Sequence, residues 1–279
     1  MKDKVIIITG SNGGIGKEAA GELAKLGARI YMAGRSVNSL NEAKDEIVRE
    51  TENESVFVEE LDLASPESIR KFAETFKKNE SKLDVLINNA GLWSGDKVLS
   101  GFKEEMTFSV NVLGHQLLTK LLVDLLKKGS PSRIINVASH FAGGLDADDV
   151  SYDRRNYNAT SAYKQSKQAN RMLTREWARI LENDNVRVYS MTPGFIPTTD
   201  LFRNQGFIGK ILLKIVGWIE GKTIQQGADT IVWLTSAENI NGSNGGFFKE
   251  RKEEVCAFNH SAREKELWDK CEQIIARIK

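Results

Sequence analysis

The amino-acid sequence predicts a doubly wound α/β architecture: one parallel sheet of about seven strands with helices on both faces, in a single domain spanning residues 1–279. Two observations carry this. Short apolar, β-branched runs alternate with segments of helical period, and successive runs are joined by one helical crossover, which is how parallel sheets are built. The first run opens directly into a cluster of glycines, Gly10, Gly13, Gly14 and Gly16. No internal repeat or low-complexity linker interrupts the alternation.

Val5 to Ile8 reads as a strand buried on both faces, as expected in the middle of a parallel sheet. The helical pattern starting near Ile15 (Ala19, Ala20, Leu23, Ala24) places a helix N-terminus at the glycine turn. Unpaired backbone N–H groups and the positive end of the helix dipole attract an anion there. The expected ligand is a dinucleotide pyrophosphate. Ala28 to Ala33 is the second strand, ending at Gly34-Arg35-Ser36. An acidic side chain at this place would select NAD through the ribose 2′-hydroxyl. Arg35 stands there instead, and its planar fork of donors matches phosphate, so Arg35 with Ser36 argues for NADP(H).

A charged helix is expected over 38–52, and a third strand from Ser55 ends near Asp62. A helix over Pro66 to Lys78 starts with Ser65 as cap and Pro66 at its first position. Leu83 to Asn88 is the fourth strand, ending in Asn88-Asn89-Ala90-Gly91, and Phe108 to Leu126 is one long helix. Ser132 to Ser139 is the fifth strand, and residues 140–158 lack a period and read as a surface excursion. A helix capped by Thr160 or Ser161 then runs through Tyr163, Lys167 and Trp177. Asn185 to Met191 is the sixth strand, followed by Thr192-Pro193-Gly194. The pattern loosens over 195–222, a helix covers Thr223 to Leu234, and Asn241 to Phe248 is a last strand. The tail, 261–278, is a charged amphipathic helix with Leu267, Trp268, Ile274 and Ile275 inward.

Composition excludes several classes of function. A formal net charge of +1 with 28% charged residues gives no polyanion-binding surface, so nucleic acid is not an expected partner. The two cysteines, Cys256 and Cys271, lack metal-ligand spacing and point to a reducing compartment. The three histidines, His115, His140 and His260, have no ligand spacing either, and no catalytic metal is implied. The first strand begins at once, which leaves no room for a signal peptide, and no apolar run reaches the roughly 18 residues a membrane span needs. A cytoplasmic, soluble protein is expected.

Tyr163 and Lys167 stand four apart, so a helix stacks them on one face. An ammonium beside a phenol favours the phenolate and pulls its pKa down from near 10, as a general acid/base requires. Ser139 ends a strand at the edge where doubly wound sheets bind ligands, and its hydroxyl is suited to hold a carbonyl oxygen. Asn111 interrupts a helix with a mediocre helix former, for which a functional role is one explanation.

TGxxxGxG at Gly10, Gly14 and Gly16, the Asn-Asn-Ala-Gly string and Tyr-xxx-Lys follow one another in the order of the classical short-chain dehydrogenase/reductase family, which this chain resembles over roughly residues 4–200. The resemblance implies a Rossmann fold and reversible hydride transfer between a nicotinamide and a carbonyl or alcohol carbon. It implies Tyr163 as general acid/base, Lys167 also binding the nicotinamide ribose, Ser139 holding the carbonyl oxygen, and Asn111 holding a relay water. Cofactor contacts carried over are Gly10, Ser11, Asn12, Gly14, Ile15, Gly16, Arg35, Ser36, Asp62, Leu63, Asn89, Ala90, Gly91, Tyr163, Lys167, Pro193, Gly194 and Thr198, with Asp62-Leu63 beside the adenine. Within the family, Leu113-Gly114-His115, Arg35 and the long interval between Ser139 and Tyr163 resemble the retinol dehydrogenase group. The resemblance also implies a homo-oligomer, without fixing its size.

Residues 206–219 carry an apolar stripe (Phe207, Ile208, Ile211, Leu212, Ile215, Trp218) where the family places its substrate lid, about 195–222. A lid over a lipophilic pocket is expected, and ordinary packing, a subunit interface or peripheral contact with a membrane surface would use the same stripe. The competing reading is a sensor that binds NADP(H) without turning anything over, because fold alone does not fix function. Sensors commonly lose the tyrosine or lysine, and this chain keeps both.

Overall fold

The computed structural model describes residues 1–196 and 221–278. Seven strands run parallel, and one more pairs antiparallel at the edge, in the order β3-β2-β1-β4-β5-β6-β7-β8. The strands are β1 (Val5–Thr9), β2 (Arg29–Gly34), β3 (Val56–Glu60), β4 (Val85–Asn88), β5 (Ser132–Val137), β6 (Val186–Met191), β7 (Phe247–Lys249) and β8 (Lys252–Glu254). The helices are α1 (Gly14–Lys25), α2 (Val37–Thr51), α3 (Pro66–Asn79), α4, α5 (Ala159–Ile180), α6 (Ile224–Ser236) and α7 (Ser261–Ala276). Helix α4 is continuous from Met106–Phe108 through a π-helical stretch, Ser109–Gly114, into His115–Lys128.

Alternation along β1 divides the core in two. Val5 and Ile7 pack on one face with Phe72 and Phe76 of α3, Leu118 and Leu122 of α4, Met172 of α5 and Leu267 of α7. Ile6 and Ile8 pack on the other with Leu23 of α1, Leu40 and Ile47 of α2 and Ile231 of α6. All five β1 residues are buried, as a central parallel strand requires. The chain lays β2 and β3 on one side of β1 and β4 on the other. The crevice at the carboxyl edge between β1 and β4 is therefore the topological switch point, where doubly wound sheets take ligands.

The seven parallel strands match the expectation with one antiparallel strand added, and three other sequence expectations are corrected. The sheet has eight strands, because Lys252–Glu254 folds back on β7 through a turn at Glu250 and Arg251, both at positive φ. Helix α5 is capped by Asn158, whose side chain accepts from the Ser161 N–H, so Thr160 and Ser161 lie inside it. The 140–158 excursion holds no strand or helix but is pinned rather than loose: Val150, Ser151 and Tyr152 are buried, and Ser151 Oγ accepts from the Glu105 N–H at 2.8 Å. The terminal helix ends at Ala276, with Leu267, Ile274 and Ile275 buried as expected. Thr198 and the 206–219 stripe lie outside the described residues.

Candidate active site

The glycine turn after β1 is built for close approach. Gly10 has φ +65°, and a Cβ on it would lie 2.9 Å from Ala90 Cα. A Cβ on Gly16 would lie 2.5 Å from both Asn89 Nδ2 and the Gly10 carbonyl, so only glycine lets α1 descend onto the turn. Asn89 Nδ2 donates to the carbonyls of Thr9 (2.8 Å) and Gly10 (3.1 Å), tying the β4 loop to the β1 loop. Ser11 is buried and donates to the Ile8 carbonyl, while Asn12 is exposed. Gly13 caps α1 with no side-chain bond, and no acidic residue stands in the first turn. The leading N–H groups of α1 and its positive dipole end thus face the crevice beside Gly14 and Ile15, a cradle fitted to a pyrophosphate.

Arg35 follows β2 directly, is exposed, and among the described residues makes no hydrogen bond or ion pair. Its neighbour Ser36 is the N-cap of α2 and accepts from Ser39 N–H. Asp62 accepts from the Ala64 N–H at 2.9 Å and takes the Ser68 hydroxyl at its own N–H, which holds the loop after β3 with Leu63 buried beneath. On the far side, Pro193 and Gly194 (φ +81°) follow β6.

Tyr163 and Lys167 lie one turn apart on α5, 7% and 3% exposed. Lys167 Nζ is 5.7 Å from the Tyr163 ring centroid and donates to the Val137 carbonyl at 2.9 Å. Burial dominates both titrations: it pushes the Tyr163 phenol up to about 12, opposed by a hydrogen bond with Ser139, and the Lys167 ammonium down to about 8. Burial, not the ammonium neighbour, sets the direction of the phenol's shift, so the expected lowering is reversed. Ser139, half-buried past β5, accepts from the Phe141 N–H at 3.0 Å. A Cβ on Gly91 would lie 3.5 Å from both Asn111 Oδ1 and Lys167 Nζ, so the Asn-Asn-Ala-Gly loop, Asn111 and Lys167 meet at one point.

Asn111 is fully buried within the π-helical stretch, a local widening of the kind frequent at functional sites. Its Oδ1 accepts from Leu92 N–H (2.8 Å), and its Nδ2 donates to the Leu92 carbonyl and to Ser166 Oγ (both 3.0 Å). Two residues that the sequence reading did not place here join the site. His115 is buried between Thr9 and Asn111, and its tautomer follows from a count of donors. Thr9 Oγ1 already accepts from the N–H groups of Asn89 (2.9 Å) and Ala90 (3.0 Å), and of the two acceptors within reach of its own hydrogen, the Ile87 carbonyl at 3.4 Å and His115 Nε2 at 3.0 Å, the nearer is His115. Nδ1 then carries the imidazole proton and donates to the Asn111 carbonyl at 3.3 Å. Burial drives the His115 pKa down to about 3. Trp93, two residues past Gly91, stacks on the Tyr163 ring with centroids 4.7 Å apart and planes 12° apart. Its signal in the sequence is an aromatic residue two positions after the Asn-Asn-Ala-Gly string.

Residues 4–206 match the family model described as short chain dehydrogenase. The chain belongs to the short-chain dehydrogenase family. Among relatives, retinol dehydrogenase 14 of Homo sapiens is 38% identical over an alignment covering 100% of this chain and 88% of the relative. Retinol dehydrogenase 11 of Homo sapiens is 41% identical, covering 90% of this chain and 78% of the relative. Among solved structures, an uncharacterised protein from Mycobacterium Paratuberculosis superposes with a TM-score of 0.77 at 27% identity, covering 99% of this chain and 94% of that one. L-sorbose reductase from Gluconobacter frateurii, complexed with NADPH and L-sorbose, does so at 0.70 and 27% identity, covering 88% and 94%. As a short-chain dehydrogenase, the protein is an oxidoreductase acting between CH–OH and C=O groups of small molecules with a nicotinamide cofactor. No helix among the described residues is long and apolar enough to cross a membrane.

Proposed function

We propose that this short-chain dehydrogenase uses NADP(H) to interconvert a lipophilic carbonyl compound and its alcohol, with Tyr163 as the general acid/base. The observation that carries the reading is the convergence of Tyr163, Lys167, Asn111 and Ser139 on the carboxyl edge of the sheet, beside the Gly10–Gly16 cradle. Bound at that cradle, NADPH supplies the hydride. Gly10, Ser11, Asn12, Gly14, Ile15 and Gly16 would hold its pyrophosphate, Asp62 and Leu63 its adenine, and Asn89, Ala90, Gly91, Pro193 and Gly194 its nicotinamide half.

The NADP preference is supported by Arg35, whose five donors are uncommitted to any described neighbour at the end of β2, with the Ser36 hydroxyl beside it. That L-sorbose reductase was solved with NADPH agrees with it. Tyr163 Oη and Ser139 Oγ would take the carbonyl oxygen between them, and Tyr163 would pass its proton to that oxygen during reduction. Lys167, a cation held beneath the phenol by the Val137 carbonyl, favours the phenolate left behind. Asn111 has committed its amide to Leu92 and Ser166, so its part in a relay falls to its main-chain carbonyl, the atom that His115 also contacts. A lipophilic substrate is supported by the rings of Trp93 and Phe141 beside the phenol.

The direct test is NADPH oxidation by the purified protein across aldehydes, ketones and quinones, with binding of NADPH and NADH measured in parallel. Turnover of lipophilic carbonyls with NADPH is the expected result. Cofactor binding with no turnover of any carbonyl or alcohol would favour the sensor reading, and better turnover of short polar carbonyls would remove the lipophilic assignment.

A further inference from the structure

The main-chain carbonyl of Asn111 is held by a side chain where a helix would hold it by its backbone. In a regular α-helix that carbonyl accepts from the N–H four residues on, here the N–H of His115. The helix is widened over Ser109–Gly114, and the His115 N–H goes to the Val112 carbonyl instead. The imidazole of the same residue takes its place, with Nδ1 3.3 Å from the Asn111 carbonyl. A carbonyl only accepts, so Nδ1 carries the proton, and Nε2 accepts from the Thr9 hydroxyl at 3.0 Å. Burial, with Lys167 as the neighbouring cation, keeps the ring neutral and so keeps one nitrogen a donor and the other an acceptor.

Both ends of the Asn-Asn-Ala-Gly loop are tied to this stretch. The N–H groups of Asn89 and Ala90 donate to Thr9 Oγ1, which His115 holds in turn. Leu92 is gripped at its N–H and its carbonyl by the Asn111 amide, whose Nδ2 also reaches Ser166. The side chain of Asn111 is therefore committed. Its main-chain oxygen has two lone pairs, of which the imidazole takes one.

We propose that His115 is a positioning residue for proton return: it replaces the missing helical donor and fixes the Asn111 carbonyl as the acceptor for water that carries a proton back to Tyr163. This rests on the carbonyl-reductase reading given above, in which the Asn111 carbonyl serves the relay. In reduction the Tyr163 O–H bond breaks and its proton passes to the substrate oxygen, so the phenolate must regain a proton from solvent before the next turnover. A carbonyl left to swing would hold that water in no fixed place.

Side-chain length separates the two bonds of the imidazole. Asparagine carries its amide on Cγ, level with Nδ1, so His115→Asn keeps a donor for the Asn111 carbonyl and falls short of Thr9. Glutamine carries its amide one bond further out, so His115→Gln keeps a partner for Thr9 and leaves the carbonyl without a donor. Both are assayed for decanal reduction by NADPH, with urea midpoints taken alongside. His115→Gln should lower kcat by about 10- to 100-fold, the scale of a small displacement at a reacting centre, with KM for NADPH within about threefold, while His115→Asn keeps kcat within about threefold. The solvent deuterium isotope effect on kcat should rise in His115→Gln alone, because proton return becomes the slow step. Equal kcat in the two variants, or the reverse order, would overturn the proposal, since a merely structural bridge to Thr9 favours glutamine. Where a variant does not fold, nitrogen-15 spectra of the histidine-labelled wild type decide: His115 should be neutral with its proton on Nδ1 at pH 7, and a proton on Nε2 or a charged ring would overturn it. Wild type that binds NADPH and reduces no carbonyl would remove the reductase reading as well.

Discussion

His115 and Lys167 are both buried bases with lowered pKa values, and they respond to pH in different windows. For His115 the ordinary value is 6.5 and the folded value about 3, so the unfolded chain binds the proton that the folded one refuses between those limits. Stability is then full above about pH 6.5 and is lost as the pH falls toward 3. Urea midpoints measured from pH 7 to pH 4 should decline, and His115→Gln should show a shallower decline; parallel slopes would contradict the assignment. Lys167 acts on catalysis at the other end of the scale. Its ammonium is lost as the pH rises through about 8, so reduction with NADPH should fall off above that pH, and a rate flat to pH 10 would count against its role. At the cofactor end, Arg35→Ala should weaken NADPH by the worth of a charge-assisted contact, roughly 1.5–3 kcal/mol, and leave NADH nearly unchanged. Equal losses for the two would contradict the NADP preference. The charge of Arg35 and the four-residue spacing of Tyr163 and Lys167 were legible in the sequence because each is a local property. The tautomer of His115 was not, since it depends on how many donors reach Thr9 from a strand 80 residues away.

Helix α5 carries Tyr163 five residues after its cap, so the cap bears on the site as well as on the fold. The segment Asn158-Ala159-Thr160-Ser161 holds three residues able to cap, of which the sequence pattern favours Thr160 or Ser161, and tertiary anchoring decided for Asn158. Tyr157 Oη donates to the Ser94 carbonyl at 2.8 Å and holds the chain extended up to Asn158, whose φ is −139°. Asn158→Ala should cost about 0.5–2 kcal/mol by chemical denaturation and lower kcat by loosening the first turn; an unchanged midpoint would contradict this. Periodic elements such as α3 and α7 were legible because their apolar stripes survive in three dimensions as buried faces. Strand β8 was not, because Lys252-Glu253-Glu254 offers no apolar alternation and pairs through its backbone alone. The π-helical stretch around Asn111 was also hidden. A change from i→i+4 to i→i+5 bonding leaves the side-chain period nearly intact over six residues.

Across the whole molecule, the sheet brings together groups that the chain keeps far apart. Gly10 follows β1, Gly91 follows β4, Ser139 follows β5, and α5 crosses back over them with Tyr163 and Lys167 on its inner face. That assembly follows from strand order and right-handed crossovers, which is why the site's residues could be chosen from linear motifs. The stacking of Trp93 on Phe141 could not, since the two become neighbours only when β4 and β5 pair in register, Asn88 against Asn136. The central claim is that this convergence makes Tyr163 the proton donor, and it is tested most directly by Tyr163→Phe, assayed for NADPH binding and for carbonyl reduction in the same preparation. The account predicts unchanged NADPH affinity with turnover reduced by about 10²–10⁴-fold, the usual worth of a general acid. Turnover within a few-fold of wild type would contradict it.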